Sequence, residues 1–352
     1  MSKPGVGPNQ LFVLPVGAFS HSPLFLSALS YATLARRPKR VVGGAPFGAL
    51  LLSPPPGGTC KRHGLGGHMV NLVQIGMGGM GETWLKTVLA SSEAHYCAFV
   101  EVNDEVARTQ VAKYKLDGDH VYRTLPEALR ALACEGKQVD GVLIITPPRF
   151  HKEQSIQALE AGLPVLSEKP LADTIEAARD IVEMAERTGK LHMVAQNYRY
   201  SQPVQTLRAT LGELGKVGAV CVQFFKGPHF GGFREEMPYP LIVDMSIHHF
   251  DMMRYLLDAD LVSLKGYSWN PEWSWYKGDA SATLGLRLES RQFGPVYASY
   301  TASWCSRGSE TPWNGNWRFE CENGVINLVD DMVRVQEPGT EPRLIEPVPL
   351  AH

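Results

Sequence analysis

The sequence has no run of roughly eighteen uncharged apolar residues, the length that a membrane-spanning helix needs. Its six cysteines are scattered and form no C-x-x-C pair, so neither a disulfide framework nor a zinc site is indicated. These absences predict a cytoplasmic protein in a reducing compartment, with no membrane partner and no metal site.

Acidic residues are missing from the first part of the chain. Seven of the 34 Lys and Arg residues and none of the 36 Asp and Glu residues fall in 1–68, so the remainder has a formal charge of −9. An acidic remainder argues against nucleic acid as a partner. The basic segment is rich in Pro, Gly and Ser, and we expect it to be an extension outside the fold; a targeting segment is the alternative.

A glycine turn follows the first apolar strand after Met69. Gly76, Gly78 and Gly81 form G-x-G-x-x-G, with Gly79 and Met80 inside the motif. The glycines allow a tight turn and the close approach of a pyrophosphate to a helix N-terminus. Glu101 ends the next predicted strand, where a carboxylate grips a ribose 2′-hydroxyl, so the pattern predicts NAD, with NADP as the alternative.

Strands and helices then alternate as far as residue 192, which predicts a doubly wound parallel sheet of the Rossmann type. Ligands of such sheets lie at the carboxyl ends of the strands. Thr146-Pro147, Glu168-Lys169 and Gln196-Asn197 follow predicted strands. Asp173 and Glu176 are spaced as a capping box, with Gly189 as the stop of that helix.

The C-terminal half is predicted to hold a helix over 238–258 and several alternating strands. Asp244 and His248 are four apart and share a face of that helix, whereas His249 is turned away. Asp251 lies on nearly the same stripe, and we interpret it as a structural partner. Six of the seven tryptophans lie after residue 260; they either stack on a sugar ring or pack within a sheet or interface.

Five stretches in order resemble the Gfo/Idh/MocA family of NAD(P)-dependent oxidoreductases: "GMGGMG", "VEVNDEVA", "ITPPRFHKEQSIQALEAGLPVLSEKPLA", "QNYRY" and "DMSIHHFD". The T-P-x-x-x-H stretch followed by E-K-P is the specific part. The resemblance implies a Rossmann domain over 69–192. It also implies a second α/β domain over 193–352, with a largely antiparallel open sheet through which such proteins form homodimers or homotetramers.

The resemblance also implies roles for single residues. Lys169 of E-K-P lies beside nicotinamide and substrate, often with a cis bond to Pro170, and the D-x-x-x-H motif maps onto Asp244 and His248. We therefore expect these three to be catalytic. The residues expected to contact the cofactor are Gly76, Gly78, Gly79, Met80, Gly81, Glu101, Thr146, Pro147, His151, Glu168, Lys169 and Asn197.

The predicted activity is a dehydrogenase that transfers a hydride between nicotinamide and a hydroxyl carbon of a sugar, sugar acid or cyclitol. Two alternatives stay open: a cofactor-binding sensor without turnover, and a glycosidase that uses tightly held NAD for transient oxidation. The chain departs from the family at Ser246, where a Gly is usual, which leaves the shape of the pocket open. It also ends before an expected helix and strand, so a truncated C-terminus is a further expectation.

Overall fold

The computed structural model describes residues 12–15 and 69–350. Strand β1 (Phe12–Pro15) pairs antiparallel with the strand Ala259–Trp269. Apart from β1, the prediction about 1–68 falls on residues outside the described part of the chain, as do 351–352. The remaining chain forms two compact units that part between Ala195 and Gln196, just after the predicted boundary.

The first unit contains a six-stranded, fully parallel sheet. Its strands are β2 (Val70–Ile75), β3 (Ala94–Val100), β4 (Val121–Tyr122), β5 (Gly141–Ile144), β6 (Val165–Ser167) and β7 (His192–Val194). Their spatial order is β4-β3-β2-β5-β6-β7. Since this is the strand order of dinucleotide-binding folds, the predicted Rossmann sheet is confirmed.

Five helices connect these strands: α1 (Gly79–Leu89), α2 (Asp104–Tyr114), α3 (Leu125–Cys134), α4 (His151–Glu160) and α5 (Ile175–Thr188). Gly189 ends α5 with φ of 66°, as predicted. The predicted N-cap of α5 is wrong by one residue, because Thr174 and not Asp173 accepts the hydrogen bond from the Ala177 amide. A hydroxyl at the cap position satisfies that amide as well as a carboxylate does.

The second unit is built on a nine-stranded sheet. After β1 its strands are β8 (Val217–Phe225), β9 (Ala259–Trp269), β10 (Ser281–Ser290), β11 (Gly294–Ser303), β12 (Asn316–Cys321), β13 (Gly324–Val329), β14 (Met332–Gln336) and β15 (Arg343–Leu344). The order is β1-β9-β10-β11-β8-β12-β13-β14-β15, and only β11 and β8 pair in parallel. The predicted, largely antiparallel sheet is therefore confirmed.

Buried and exposed side chains alternate along the strands of this sheet, which shows that one of its faces is covered. In β10, Leu284, Leu286 and Leu288 are buried, while Gly285 and Arg287 between them are exposed. The buried face packs in one hydrophobic core with the helices α6 (Gln202–Thr210) and α8 (Ile247–Leu257). A period of two in burial is what a strand with one covered face shows.

The segment before α8 is not the regular helix that the sequence predicts. After the short helix α7 (Phe233–Glu236), residues Leu241–Ser246 form a π-helical turn that runs directly into α8. The apolar spacing of a single turn fits both the α and the π period, so the sequence pattern does not separate them. The functional consequence is that Asp244 lies in a π turn and His248 in an α turn.

Two of the C-terminal tryptophans are core residues. Trp304 and Trp317 are each 1% exposed, so they pack inside the unit, whereas Trp313 is 41% exposed. None of the helices in residues 69–350 has both the length and the apolar character needed to cross a bilayer.

Candidate active site

The glycine turn between β2 and α1 tolerates no side chain at its two ends. A Cβ on Gly76 would lie 2.4 Å from the carbonyl oxygen of Ile145, and one on Gly81 would lie 2.4 Å from that of Gly76. Gly76 also has φ of +95°, a left-handed conformation that glycine alone adopts readily. The buried Gln74 amide fastens the turn, donating to the carbonyl oxygens of Gly76 at 2.8 Å and Gly81 at 3.0 Å.

The middle of the same turn is open. A Cβ on Gly78 or Gly79 would meet no atom within 4 Å, in contrast to the crowded ends of the motif. Gly78 is the N-cap of α1 and supplies no side-chain cap to the first amides of the helix. Backbone N–H groups at an open helix N-terminus form an anion site, so this cradle fits the pyrophosphate of a dinucleotide.

Glu101 is held at the carboxyl end of β3, next to this cradle. Its Oε2 accepts a hydrogen bond from the Met77 amide at 2.8 Å, and its Oε1 accepts one from the Asn103 amide at 2.9 Å. The first contact ties the acid directly to the glycine turn. A carboxylate can accept about four hydrogen bonds, so these two leave capacity for the hydroxyls of a ribose.

The loops after β5 and β6 are joined by one histidine. His151 is 0% exposed; its Nε2 lies 2.8 Å from the Thr146 carbonyl oxygen and its Nδ1 lies 2.9 Å from that of Pro170. Each ring nitrogen therefore faces a backbone carbonyl oxygen inside the unit, and the N–H of a neutral imidazole donates to one of the two. The ring connects the Thr146-Pro147 loop to the E-K-P loop, and the expected contact of His151 with the cofactor stays a prediction.

The E-K-P loop brings Lys169 to the same edge of the sheet. Lys169 is half-buried directly beyond the end of β6, and its peptide bond to Pro170 is cis, as the family resemblance implies. Glu168 anchors the loop, because Oε1 accepts from the Trp84 indole at 2.8 Å and Oε2 from the Lys169 amide at 3.1 Å. The Glu168 carboxylate thus links the loop to α1, the helix that follows the glycine turn.

In the second unit, the predicted pair Asp244 and His248 is buried. Asp244 Oδ2 accepts a hydrogen bond from Arg234 Nε at 2.7 Å, and the His248 ring stacks on Tyr198 with centroids 4.2 Å apart and planes at 12°. Burial and the nearby Asp244 raise the pKa of Tyr198 to about 12, so its hydroxyl stays protonated at neutral pH. Arg234 and Tyr198 were missed by sequence reasoning.

His249 belongs to the core instead. Its Nδ1 lies 2.9 Å from the Tyr300 hydroxyl and its Nε2 lies 3.1 Å from the Trp313 carbonyl oxygen. Tyr300 also bonds Ser246 Oγ at 2.8 Å, so the serine at the position of the usual glycine is part of this buried network. The different surroundings of the two neighbouring histidines support assigning the family motif to His248.

Burial lowers the pKa of His249 from 6.5 to about 4. Between these values the unfolded chain binds a proton that the folded unit does not, so stability is full above pH 6.5 and falls as the pH drops toward 4. We expect a loss of up to about 3 kcal/mol from this group. Urea unfolding of His249→Gln at pH 7, 6 and 5 should show a shallower acid dependence than that of the wild type; equal slopes would contradict the assignment.

Comparison with known proteins shows to which protein family the chain belongs. Residues 70–196 match the profile of the oxidoreductase family with an NAD-binding Rossmann fold, Gfo/Idh/MocA. An uncharacterized protein of Sinorhizobium fredii, y4oX, is 31% identical over 259 residues, which cover 71% of this chain and 68% of that one. The chain belongs to the Gfo/Idh/MocA family.

Other relatives agree with this membership. Inositol 2-dehydrogenase of Corynebacterium glutamicum is 31% identical over 195 residues, so the chain matches about half of that protein, 55%, with 54% of its own length. An inositol dehydrogenase homolog of Azotobacter vinelandii, solved with NAD+, has a TM-score of 0.68 at 18% identity over 79% of this chain and 76% of its own. At that identity the likeness shows the fold.

As a Gfo/Idh/MocA protein, the chain uses NAD as its cofactor. The Rossmann unit brings together, at the carboxyl edge of one sheet, nearly all residues expected to contact it: Gly76, Gly78, Gly79, Met80, Gly81, Glu101, Thr146, Pro147, Glu168 and Lys169. Asn197 begins a 3-10 turn of the other unit. Within the described residues no group of three or more His, Cys, Asp or Glu is arranged to hold a metal.

Proposed function

We propose that this protein is an NAD-dependent dehydrogenase that oxidises a CH–OH group of a polyhydroxylated small molecule: a sugar, sugar acid or cyclitol. The observation that supports this most directly is the position of Lys169. It follows β6 at the carboxyl edge of the sheet that also carries the open glycine cradle and Glu101. The relative that acts on inositol supports the polyol part of the proposal.

Each proposed residue has its own task. Bound NAD supplies the hydride acceptor. Lys169 Nζ takes the proton of the substrate hydroxyl as the carbon is oxidised, which an amine can do as a general base. His248 shares this proton transfer or polarises the forming carbonyl, and the Asp244 carboxylate accepts a hydrogen bond from a second substrate hydroxyl.

The cofactor-facing residues bind rather than react. Glu101 grips the adenosine ribose and disfavours a 2′-phosphate, so NAD should outcompete NADP. Arg108 is exposed on α2, and the Arg123 guanidinium bonds the Val102 carbonyl just beyond Glu101. We propose that the positive charges of Arg108 and Arg123 weaken the preference for NAD over NADP without reversing it.

Assembly and location complete the proposal. The exposed face of the nine-stranded sheet presents Tyr267, Trp269 and Tyr297, each at least 41% exposed, and aromatic residues are enriched at subunit interfaces. We assign this face to a homodimer or homotetramer, and we assign the protein to the cytoplasm, where NAD is available.

The test is nicotinamide absorbance with the purified full-length chain, NAD and then NADP, and a panel of sugars, sugar acids and inositols. We expect a time-dependent rise with NAD and at least one class of substrate, and a smaller rise with NADP. A flat trace despite NAD binding, measured by fluorescence titration, would contradict turnover and favour the sensor. Tightly held NAD that co-purifies and is not consumed while a glycoside is hydrolysed would favour the glycosidase.

A further inference from the structure

Arg234 is an arginine beside the proposed substrate-binding carboxylate. It belongs to the short helix α7, which follows Gly231 and Gly232, both with φ near +65°. Its Nε donates to Asp244 Oδ2 at 2.7 Å. The Arg234 side chain is 29% exposed and that of Asp244 10%, so the guanidinium covers the buried carboxylate and reaches solvent itself.

Two exposed aromatic rings flank the same guanidinium. The Arg234 Cζ lies 5.2 Å from the ring centroid of Phe230 and 4.8 Å from that of Phe233. These rings are 47% and 59% exposed. Apolar faces and a hydrogen-bonding edge are therefore presented side by side, which is the combination that a polyol ring needs for its C–H and O–H groups.

Arg234 and Asp244 together offer both hydrogen-bond donors and hydrogen-bond acceptors. A guanidinium has five N–H groups, and among residues 69–350 the Nη atoms of Arg234 donate to no protein group. A carboxylate accepts up to about four hydrogen bonds, and Arg234 Nε donates one of them to Asp244 Oδ2. Donors and acceptors side by side match vicinal hydroxyls, each of which both donates and accepts.

The local charge disfavours an anion. Arg234 is already neutralised by Asp244, and α7 carries two more acids: Glu235, whose Oε1 accepts from the Gly231 amide at 2.9 Å, and Glu236, which pairs with Lys277 at 2.5 Å. The five charged groups sum to a net negative charge. A substrate carboxylate would have to share Arg234 with Asp244, and like charges in one site repel.

We infer that Arg234, paired with Asp244, is the specificity-determining residue of the proposed site, and that it selects a neutral polyol with vicinal hydroxyls over the corresponding sugar acid. The inference rests on the proposed function and narrows its substrate class. It leaves the proton chemistry to Lys169 and His248.

The test compares matched neutral and acidic compounds. Binding of glucose against glucuronate, galactose against galacturonate, and myo-inositol is measured by calorimetry on the NADH-saturated full-length protein, and kcat/KM is measured in parallel with NAD. We expect at least one neutral compound to bind about tenfold more tightly than its acid. A variant Arg234→Met should lose about 10- to 100-fold in affinity for it, the loss expected when a charged hydrogen-bond donor is removed.

Two further variants test whether a loss of affinity comes from the missing guanidinium or from a loss of the fold. Arg234→Lys keeps a cation for Asp244 but removes the planar fork, and it should still weaken neutral polyols by about tenfold. Arg343→Met is the matched control, since Arg343 is 64% exposed and pairs weakly with Glu213 at 3.4 Å; it should bind like the wild type. Circular dichroism and thermal melting confirm that each variant is folded.

The outcomes separate the two proposals. Tighter binding of the acids, unchanged neutral affinity in both Arg234 variants, or no binding of any compound would overturn the role of Arg234. Neutral preference in binding without any turnover would leave that role intact and contradict the dehydrogenase.

Discussion

Replacing Lys169 by Ala should lower kcat by about 100- to 10,000-fold while the affinity for NAD changes little. This is the range that a positioned general acid–base group contributes. The cofactor contacts that we propose for the glycine cradle and Glu101 do not involve the Lys169 amine, which is why binding should persist. Turnover is followed by nicotinamide absorbance, and NAD affinity by fluorescence titration on the same protein.

A matched control separates the role of Lys169 from a general effect of losing a lysine. Lys190 is exposed in the same unit, after Gly189, and Lys190→Ala should keep full activity. The double variant Lys169→Ala/His248→Ala should be little worse than Lys169→Ala if the two side chains act as one unit, because losses in such groups are not additive. Full activity of Lys169→Ala would refute its catalytic role.

Removing Asp251 should destabilise the second unit by about 3 kcal/mol, the lower end of the range for breaking a buried ion pair. Arg199 donates to Asp251 from Nε at 2.8 Å and from a terminal nitrogen, and the side chains are 28% and 14% exposed. Asp251→Ala would remove the carboxylate that pairs with Arg199. The Cζ atom of Arg199 lies 4.9 Å from the centroid of the Tyr255 ring. Urea unfolding followed by tryptophan fluorescence reports mainly on this unit, since only Trp84 lies in the other.

The exposed pair of Arg318 and Glu320 provides the comparison. These side chains are 50% and 47% exposed at 2.6 Å, and Glu320→Ala should cost less than about 1 kcal/mol, as surface ion pairs do. The double variant Arg199→Met/Asp251→Leu should recover much of the loss, because an apolar pair leaves no buried charge. A cost for Asp251→Ala as small as that for Glu320→Ala would show that the pair is not structural.

The sequence was sufficient for the Rossmann unit because each of its signals is local. The glycine spacing, the apolar strands and the caps act over a few residues, and the structure departs only by one position at the Thr174 cap. The predicted residues from Gly76 to Lys169 meet at one edge because parallel strands all end there.

What the sequence did not reveal depends on contacts between distant residues. Gln74, Tyr198 and Arg234 have no spacing that marks them, and their roles come from the turn, ring or carboxylate that each touches in the fold. The π turn escaped because one turn holds too few residues to define a period. The two neighbouring histidines were separated by the family motif, and their surroundings give the physical reason only in three dimensions.

The bridge formed by His151 has a consequence for how this protein tolerates change. An imidazole whose two nitrogens both face carbonyl oxygens acts as a rigid spacer, and it sets the gap between the Thr146 and Pro170 backbones to its own width. A linear side chain such as Asn or Gln lacks two opposed nitrogens at that separation. The spacing between the loops that carry Thr146 and Lys169 is thus set by one ring. A substitution that shifts the backbone of one loop requires an equal shift of the other if both contacts are to be kept.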